Sequence, residues 1–380
     1  MTRTLNIAFL LLALALGLGQ CKQVYVSPYT SPPTGYLVVE GFIAGNAPTR
    51  FTLSRTIPLP GDSVPPPENN AQVQVEGSDG SVYPLPAQGN AVYSVNALSL
   101  NAAAQYRLRI TTANNEQYLS DYAPFKPSPV IDSINWVRGG NGVNIYANTH
   151  DPTNTTRYYQ WEYEETWEHD APEASALLYE PDSVPPTVIP RPDSLQIYRC
   201  WNDDISTRII LGSSVKLAQD VIYEQLLTNI PPAAQQLGVL YTINVRQYAL
   251  TEDGYNFLTL MQKNTESLGS IFDVQPSQIV GNIHSLSNPG EPVIGYISAG
   301  TVQTRRIYIS NQQVLYWGYP NACPQADTII GAGMFPTVLG AMQEIPIDRV
   351  NLFAYAANII PCVDCRAQGG TTTKPSFWPN

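Results

Sequence analysis

The strongest constraint on this chain is a two-residue alternation of apolar and polar side chains that restarts after clusters of Gly, Pro, Asn and Asp. Val73 and Val75 alternate with Gln72, Gln74 and Glu76, and Tyr106, Leu108 and Ile110 alternate with Gln105, Arg107 and Arg109. Successive side chains on a strand point to opposite faces, so each run buries one face and wets the other. Further β-prone runs lie at 36–43, 50–55, 90–95 and 116–119, and Gly77-Ser78-Asp79-Gly80 has hairpin-turn chemistry. This many strands within about 90 residues predicts an immunoglobulin-like or fibronectin-like β-sandwich over 35–127.

Phe125-Lys126-Pro127-Ser128-Pro129 is the expected boundary, because proline stiffens the chain and cannot donate to a ladder. The alternation resumes at 131–137 and 142–147, so 128–380 is expected to form a second β-rich domain, giving a mainly β protein. Its longest strand is predicted from Arg157 to about His169, with Tyr159, Trp161, Tyr163 and Trp167 on one face as a core stripe. Glu162, Glu164 and Glu168 take the opposite face. Glu165 interrupts the stripe, and a carboxylate there needs a partner or a raised pKa. Residues 171–193, rich in Pro, Ala and acids, read as a long mobile loop. Two inserted helices are predicted. One covers 217–230, with Leu217, Val221, Ile222, Leu226 and Leu227 ahead of Pro231-Pro232; the other covers 252–266, capped by Thr251.

The first 20 residues carry Arg3, an apolar run from Ile7 to Leu18, and Leu18-Gly19-Gln20-Cys21. That is the pattern of a lipoprotein signal peptide, with Cys21 as the lipidated residue; an ordinary secretory signal is the competing reading. The apolar run is too short to span a bilayer. Residues 21–34, with Pro28, Pro32 and Pro33, read as a stalk. Losing Arg3 with the leader takes the formal charge from −11 to −12, which argues against nucleic acid as a partner. With Cys21 committed to lipid, Cys200, Cys323, Cys362 and Cys365 remain for up to two disulfides, in any of three connectivities. A ring between Cys362 and Cys365 is sterically tight, so each is expected to take a distant partner; a redox pair or a zinc site are the alternatives.

Nothing in the chain names a reaction. His150, His169 and His284 lie in no metal-binding spacing, and no phosphate loop, nucleophile elbow or dinucleotide fingerprint is present, so neither a metal nor a cofactor is expected. The pairs Glu164-Glu165 and Asp203-Asp204 are carboxylates of the kind glycosidases use. Adjacent residues on a strand face opposite ways, however, so neither pair builds such a site alone. Asn202-Asp203-Asp204 is only a fragment of a calcium loop. Catalysis is therefore not expected, and Glu165, Trp167 and Asp203 stand as a speculative ligand site.

Several stretches, in this order and spacing, carry a family resemblance. They are Leu37-Val38-Val39-Glu40-Gly41, Tyr158 to Glu165, Val245-Arg246-Gln247-Tyr248, Gly281-Asn282-Ile283, Val293-Ile294-Gly295-Tyr296, Pro361 to Arg366, and Pro375-Ser376-Phe377-Trp378. The chain resembles a group of Bacteroidota lipoproteins known only as a four-thousand-series domain of unknown function. That resemblance implies a lipid-anchored outer-membrane protein, often encoded beside a TonB-dependent transporter, with no established catalytic residues. Some such lipoproteins carry acidic residues after the lipidated cysteine as a mark of surface export, whereas Lys22-Gln23-Val24-Tyr25 follows here, leaving the cell surface and the periplasmic face both open. The expected function is a non-enzymatic accessory or ligand-capture subunit of such a transporter. A glycan-binding or adhesive lipoprotein and a carboxylate-dependent hydrolase are its rivals.

Overall fold

The computed structural model describes residues 35–57, 64–266, 281–315, 317–319 and 322–379. Cys21, the leader and the stalk lie outside the described residues. The architecture is mainly β, and it forms three successive units.

The first is the expected sandwich. Strands Leu37–Ala44, Thr49–Arg55 and Val92–Val95 form one layer, and Gln72–Gly77, Val82–Leu85, Gln105–Thr111 and Gln117–Ser120 form the other. Leu37, Val39, Phe51, Leu53 and Tyr93 meet Val73, Val75, Leu108, Ile110 and Tyr118 in one core. The alternation that predicts this unit is the alternation that fills it. Two later pieces of chain complete it. Ile283–Ser285 pairs antiparallel with Gln117–Ser120, and Ala299–Gly300 inserts as a parallel strand between Leu37–Ala44 and Ala123–Lys126. Ile283, Val293, Ile297 and Ala299 enter the same core, so the unit includes residues far beyond 127.

The second unit is another sandwich. Tyr158–Asp170 pairs with Leu240–Ala249 on one side and with Arg199–Ile205 and Ile210–Ser213 on the other, and Val302–Ser310 extends the sheet. Facing it are Ile131–Gly139, Gly142–His150 and Val221–Ile230. Trp161, Tyr241, Ile243 and Ile309 pack against Val143, Ile145, Ile222 and Leu227. Phe42 lies edge-on to Tyr248 at 4.9 Å, and Ala44 and Val302 join them at the seam with the first unit.

Two sequence expectations are corrected here. Residues 221–230 form a strand, not the helix predicted over 217–230. Its register against Gly142–His150 shifts twice, and Glu224 takes a left-handed φ of 52°. The buried residues thus fall at Ile222, Leu227 and Ile230, a spacing that imitates a helical repeat. The region 171–193 is also no bare loop, because it contains a hairpin of Leu177–Glu180 and Thr187–Pro190. Leu177-Leu178-Tyr179-Glu180 and Thr187-Val188-Ile189-Pro190 do not alternate apolar with polar side chains, and this pair is fixed by a distant bond from the Ala176 amide to the Ile347 carbonyl, 2.7 Å. The other predicted helix is present as Glu252–Glu266, with Thr251 Oγ1 accepting from the Gly254 amide at 3.1 Å.

The third unit joins that hairpin to the sheet Asp327–Ile330, Ala354–Asn358 and Ile345–Asn351 over a small core of Val188, Ile329, Phe335, Leu339 and Ala357. Disulfides Cys200–Cys365 and Cys323–Cys362 tie it down, so both Cys362 and Cys365 take distant partners. The C-terminal segment then crosses the second sheet. Thr371 pairs with Trp201, and the Trp378 indole donates to Glu168 Oε2 at 2.8 Å. Among the described residues no helix is long and apolar enough to cross a membrane.

Candidate functional site

Strand Tyr158–Asp170 holds two of the three residues the sequence singles out. Tyr159 and Trp161 are fully buried and stacked at 5.6 Å, and Tyr163 is nearly so; the stripe is core. Glu165 is sealed in the same core at 7% exposure. The Tyr241 hydroxyl donates to its Oε1 at 2.6 Å. Burial pushes the Glu165 carboxyl above the usual range, the Tyr241 bond opposes that, and Asp204 across the strand pair adds to the rise. Tyr241 is itself pushed well above the ordinary phenol value, by burial and then by the charge of Glu165. Trp167 is half-buried and donates to Gln235 Oε1 at 3.0 Å. Asp203 is exposed and lies opposite Thr166, which puts it on the other face of the sheet from Glu165 and Trp167. The three do not converge; Glu165 is bonded to a tyrosine, and the acid across the strand pair from it, Asp204, is exposed.

The histidines are equally dispersed. His150 bonds Asp132 at 2.7 Å, His284 bonds Asp121 at 3.1 Å, and buried His169 meets the Cys365 carbonyl at 3.2 Å. No group of three or more His, Cys, Asp or Glu side chains able to hold a metal occurs among the described residues.

Two other places in the molecule have the form of interaction sites. The first is a cleft of about 620 Å³ where the first sandwich, the helix and the returning chain meet. Asp121 and Tyr122, in the connection between Gln117–Ser120 and Ala123–Lys126, form one wall, Asp253 and Asn256 on the helix form another, and Tyr296 lines the chain between. The helix approaches closely because residue 254 is glycine: a Cβ there would stand 3.1 Å from the Tyr296 ring and 3.4 Å from Ser298 Oγ. Tyr296 rests against Phe257 at 5.6 Å, and its hydroxyl lies 3.4 Å from Thr251 Oγ1. Burial raises the Tyr296 pKa; the Thr251 bond opposes this, and Asp253 and Asp121 add to it. Two of the stretches that carry the family resemblance, at 281–283 and 293–296, come together here. Sequence reasoning missed the cleft because its walls lie on three segments with no common spacing.

The second is the end of the third unit. The hairpin of Ile345–Asn351 and Ala354–Asn358 turns at Leu352 and Phe353, which are 77% and 73% exposed, beside Val350. The Phe353 carbonyl accepts from the Gly331 amide at 2.8 Å, which brings Ile330 (71% exposed) and Met334 to the same end. In sequence these apolar residues resemble any core strand. Only their position at a turn separates them from one.

Residues 24–306 match the family described as "Domain of unknown function (DUF4249)". No curated protein matches the chain. Among solved structures, it is similar to a two fibronectin type-III domain segment from chicken tenascin, at 11% identity over 58% of this chain and 94% of that one, with a TM-score of 0.16. It is also similar to the chicken interferon gamma receptor alpha chain, at 12% identity over 57% and 90%, with a TM-score of 0.15.

Proposed function

Because the chain belongs to the DUF4249 family, whose function is unknown, we propose from its own surfaces that it is an accessory subunit of a membrane transporter. In this reading Cys21 is lipidated and tethers the protein to the outer membrane, and the apolar turn at Leu352 and Phe353 docks onto a TonB-dependent transporter barrel without catalysis by the chain itself. The observation that carries the proposal is the exposed tip, because apolar side chains held out at a turn cost solubility and mark contact surfaces.

Leu37–Ala44 runs from the tether toward the seam at Tyr248 and Val302, whereas the third unit attaches at the Asp170 end of the long strand. The tip thus lies at the opposite end of the strand path from Gly35. The chain between Cys21 and Gly35 spans at most roughly 50 Å when extended. A tether of that reach confines the protein to one leaflet, which raises its effective concentration beside a barrel there, so weak contacts suffice.

The test is affinity recovery of the protein from detergent-extracted native membranes. A transporter barrel should co-purify with the parent chain and be lost from Leu352→Glu/Phe353→Glu, while Cys21→Ala should release the protein to the soluble fraction. Recovery of no barrel, or equal recovery with the tip variant, would overturn docking. Membrane retention of Cys21→Ala would overturn the tether.

A further inference from the structure

We propose that the cleft between Asp121 and Tyr122 in the connection after Gln117–Ser120, the helix face of Asp253 and Asn256, and Tyr296 is a binding site for a saccharide of one or two rings. Its volume of about 620 Å³ falls within the range of small-molecule sites. A sugar ring offers an apolar CH face and a rim of hydroxyls, and it needs ring faces to stack on together with planar side chains that accept and donate. The cleft supplies both. Tyr122 stands in its wall, the Arg107 guanidinium lying 4.5 Å from its ring centroid, and Tyr296 is braced by Phe257. Asp253 and Asn256 lie three residues apart on the helix, so they share a face. Both are exposed, and neither makes a side-chain hydrogen bond to another described residue, so a carboxylate and an amide are presented to hydroxyl groups.

The charges decide between a neutral polyol and an organic cation, the other ligand that aromatic rings beside acids accommodate. Asp121 already engages His284 at 3.1 Å. Asp253 sits in the first helical turn, where the helix dipole compensates a negative charge, and Lys126 contributes a cation to the same lining. The carboxylates therefore act as hydrogen-bond acceptors more than as a counter-charge.

The leaderless chain, residues 22–380, is titrated by calorimetry with glucose, cellobiose, maltose and diacetylchitobiose. Saturable binding of at least one is expected, with Tyr122→Ala and Asp253→Ala each weakening it roughly tenfold at unchanged melting temperature. Asn256→Ala, on the exposed helix face, provides a second variant should either of those fail to fold. Absence of binding by all four sugars, variants that bind as well as the parent, or binding of tetramethylammonium in their place would each overturn the proposal. The assay contains neither membrane nor barrel, so its outcome is independent of the docking tip.

Discussion

The first sandwich and the far end of the second sheet solve the same problem of burial in different ways. The first packs large apolar side chains, Phe51, Leu53, Tyr93 and Leu108 among them, and pairs its charges at the rim of that core, where Glu76 bridges Arg107 and Arg109 at 2.8 and 2.5 Å. The far end buries Glu165 and His169 on the core face of the long strand and Thr166 and Glu168 on the other face, where the C-terminal segment covers Glu168. Beyond it hangs a unit with a small core. The two disulfides are found at this end and not in the first sandwich. Polar burial contributes little net stability even when hydrogen-bonded, so a region rich in it depends on covalent constraint where an aliphatic core does not.

Reduction of the disulfides should divide the two regions most sharply. In the chain-entropy picture the loops they close, separated by 165 and 39 residues, contribute up to roughly 5 and 4 kcal/mol. Hydrogen exchange after reduction should show amides of Ile329 and Tyr355 losing protection while those of Val75 and Leu108 keep theirs; uniform loss would erase the contrast. The converse experiment is Phe51→Ala, which empties a fully buried site in the first sandwich and should cost about 4 kcal/mol in denaturant unfolding. Proteolysis of the third unit should be unchanged.

Titration separates the regions by sign. Burial holds the Glu165 pKa above its unfolded value, so its contribution is present below about pH 4.3 and is lost as pH rises. Glu165→Gln should accordingly be more stable than the parent by about 1 kcal/mol at pH 7, and the gap should close in acid. Glu76 behaves oppositely. Burial works to raise its pKa, but bonds from Arg109, Gln74 and Arg107 outweigh that and bring it down to about 2. Its contribution is present above about pH 4.3 and is lost as pH falls toward 2. Solvent screening at this surface cluster keeps the loss in Glu76→Gln to about 1 kcal/mol or less. Melting curves from pH 3 to 7 on both variants would break the comparison if the two slopes agreed.

The same contrast governs how much could be read in advance. Val73, Val75, Leu108 and Ile110 announce the first sandwich because each obeys one period in an uninterrupted strand. The helix at 252–266 is announced by the Thr251 cap together with apolar spacing. Legibility fails where tertiary contacts decide. Two register shifts disguise 221–230, and the two-residue strand Ala299–Gly300 exists only through its neighbours. Cysteine spacing limits the disulfides without choosing between distant partners. For the candidate sites, the residue types gave warning at Glu165 and Trp167, which proved to be core and part of a polar network, and none at Tyr296 or Leu352.

The wedge of Ala299–Gly300 between two N-terminal strands also sets an order of events. Its neighbour Thr301 accepts from the Ser128 amide across 173 positions of chain, at 2.8 Å. A polypeptide synthesised from its N-terminus therefore delivers most of the first sandwich early, yet withholds the strand that closes it until the second sheet has almost wholly emerged. The first unit to be made is among the last to finish folding, and in the interval its open strand edges are exposed.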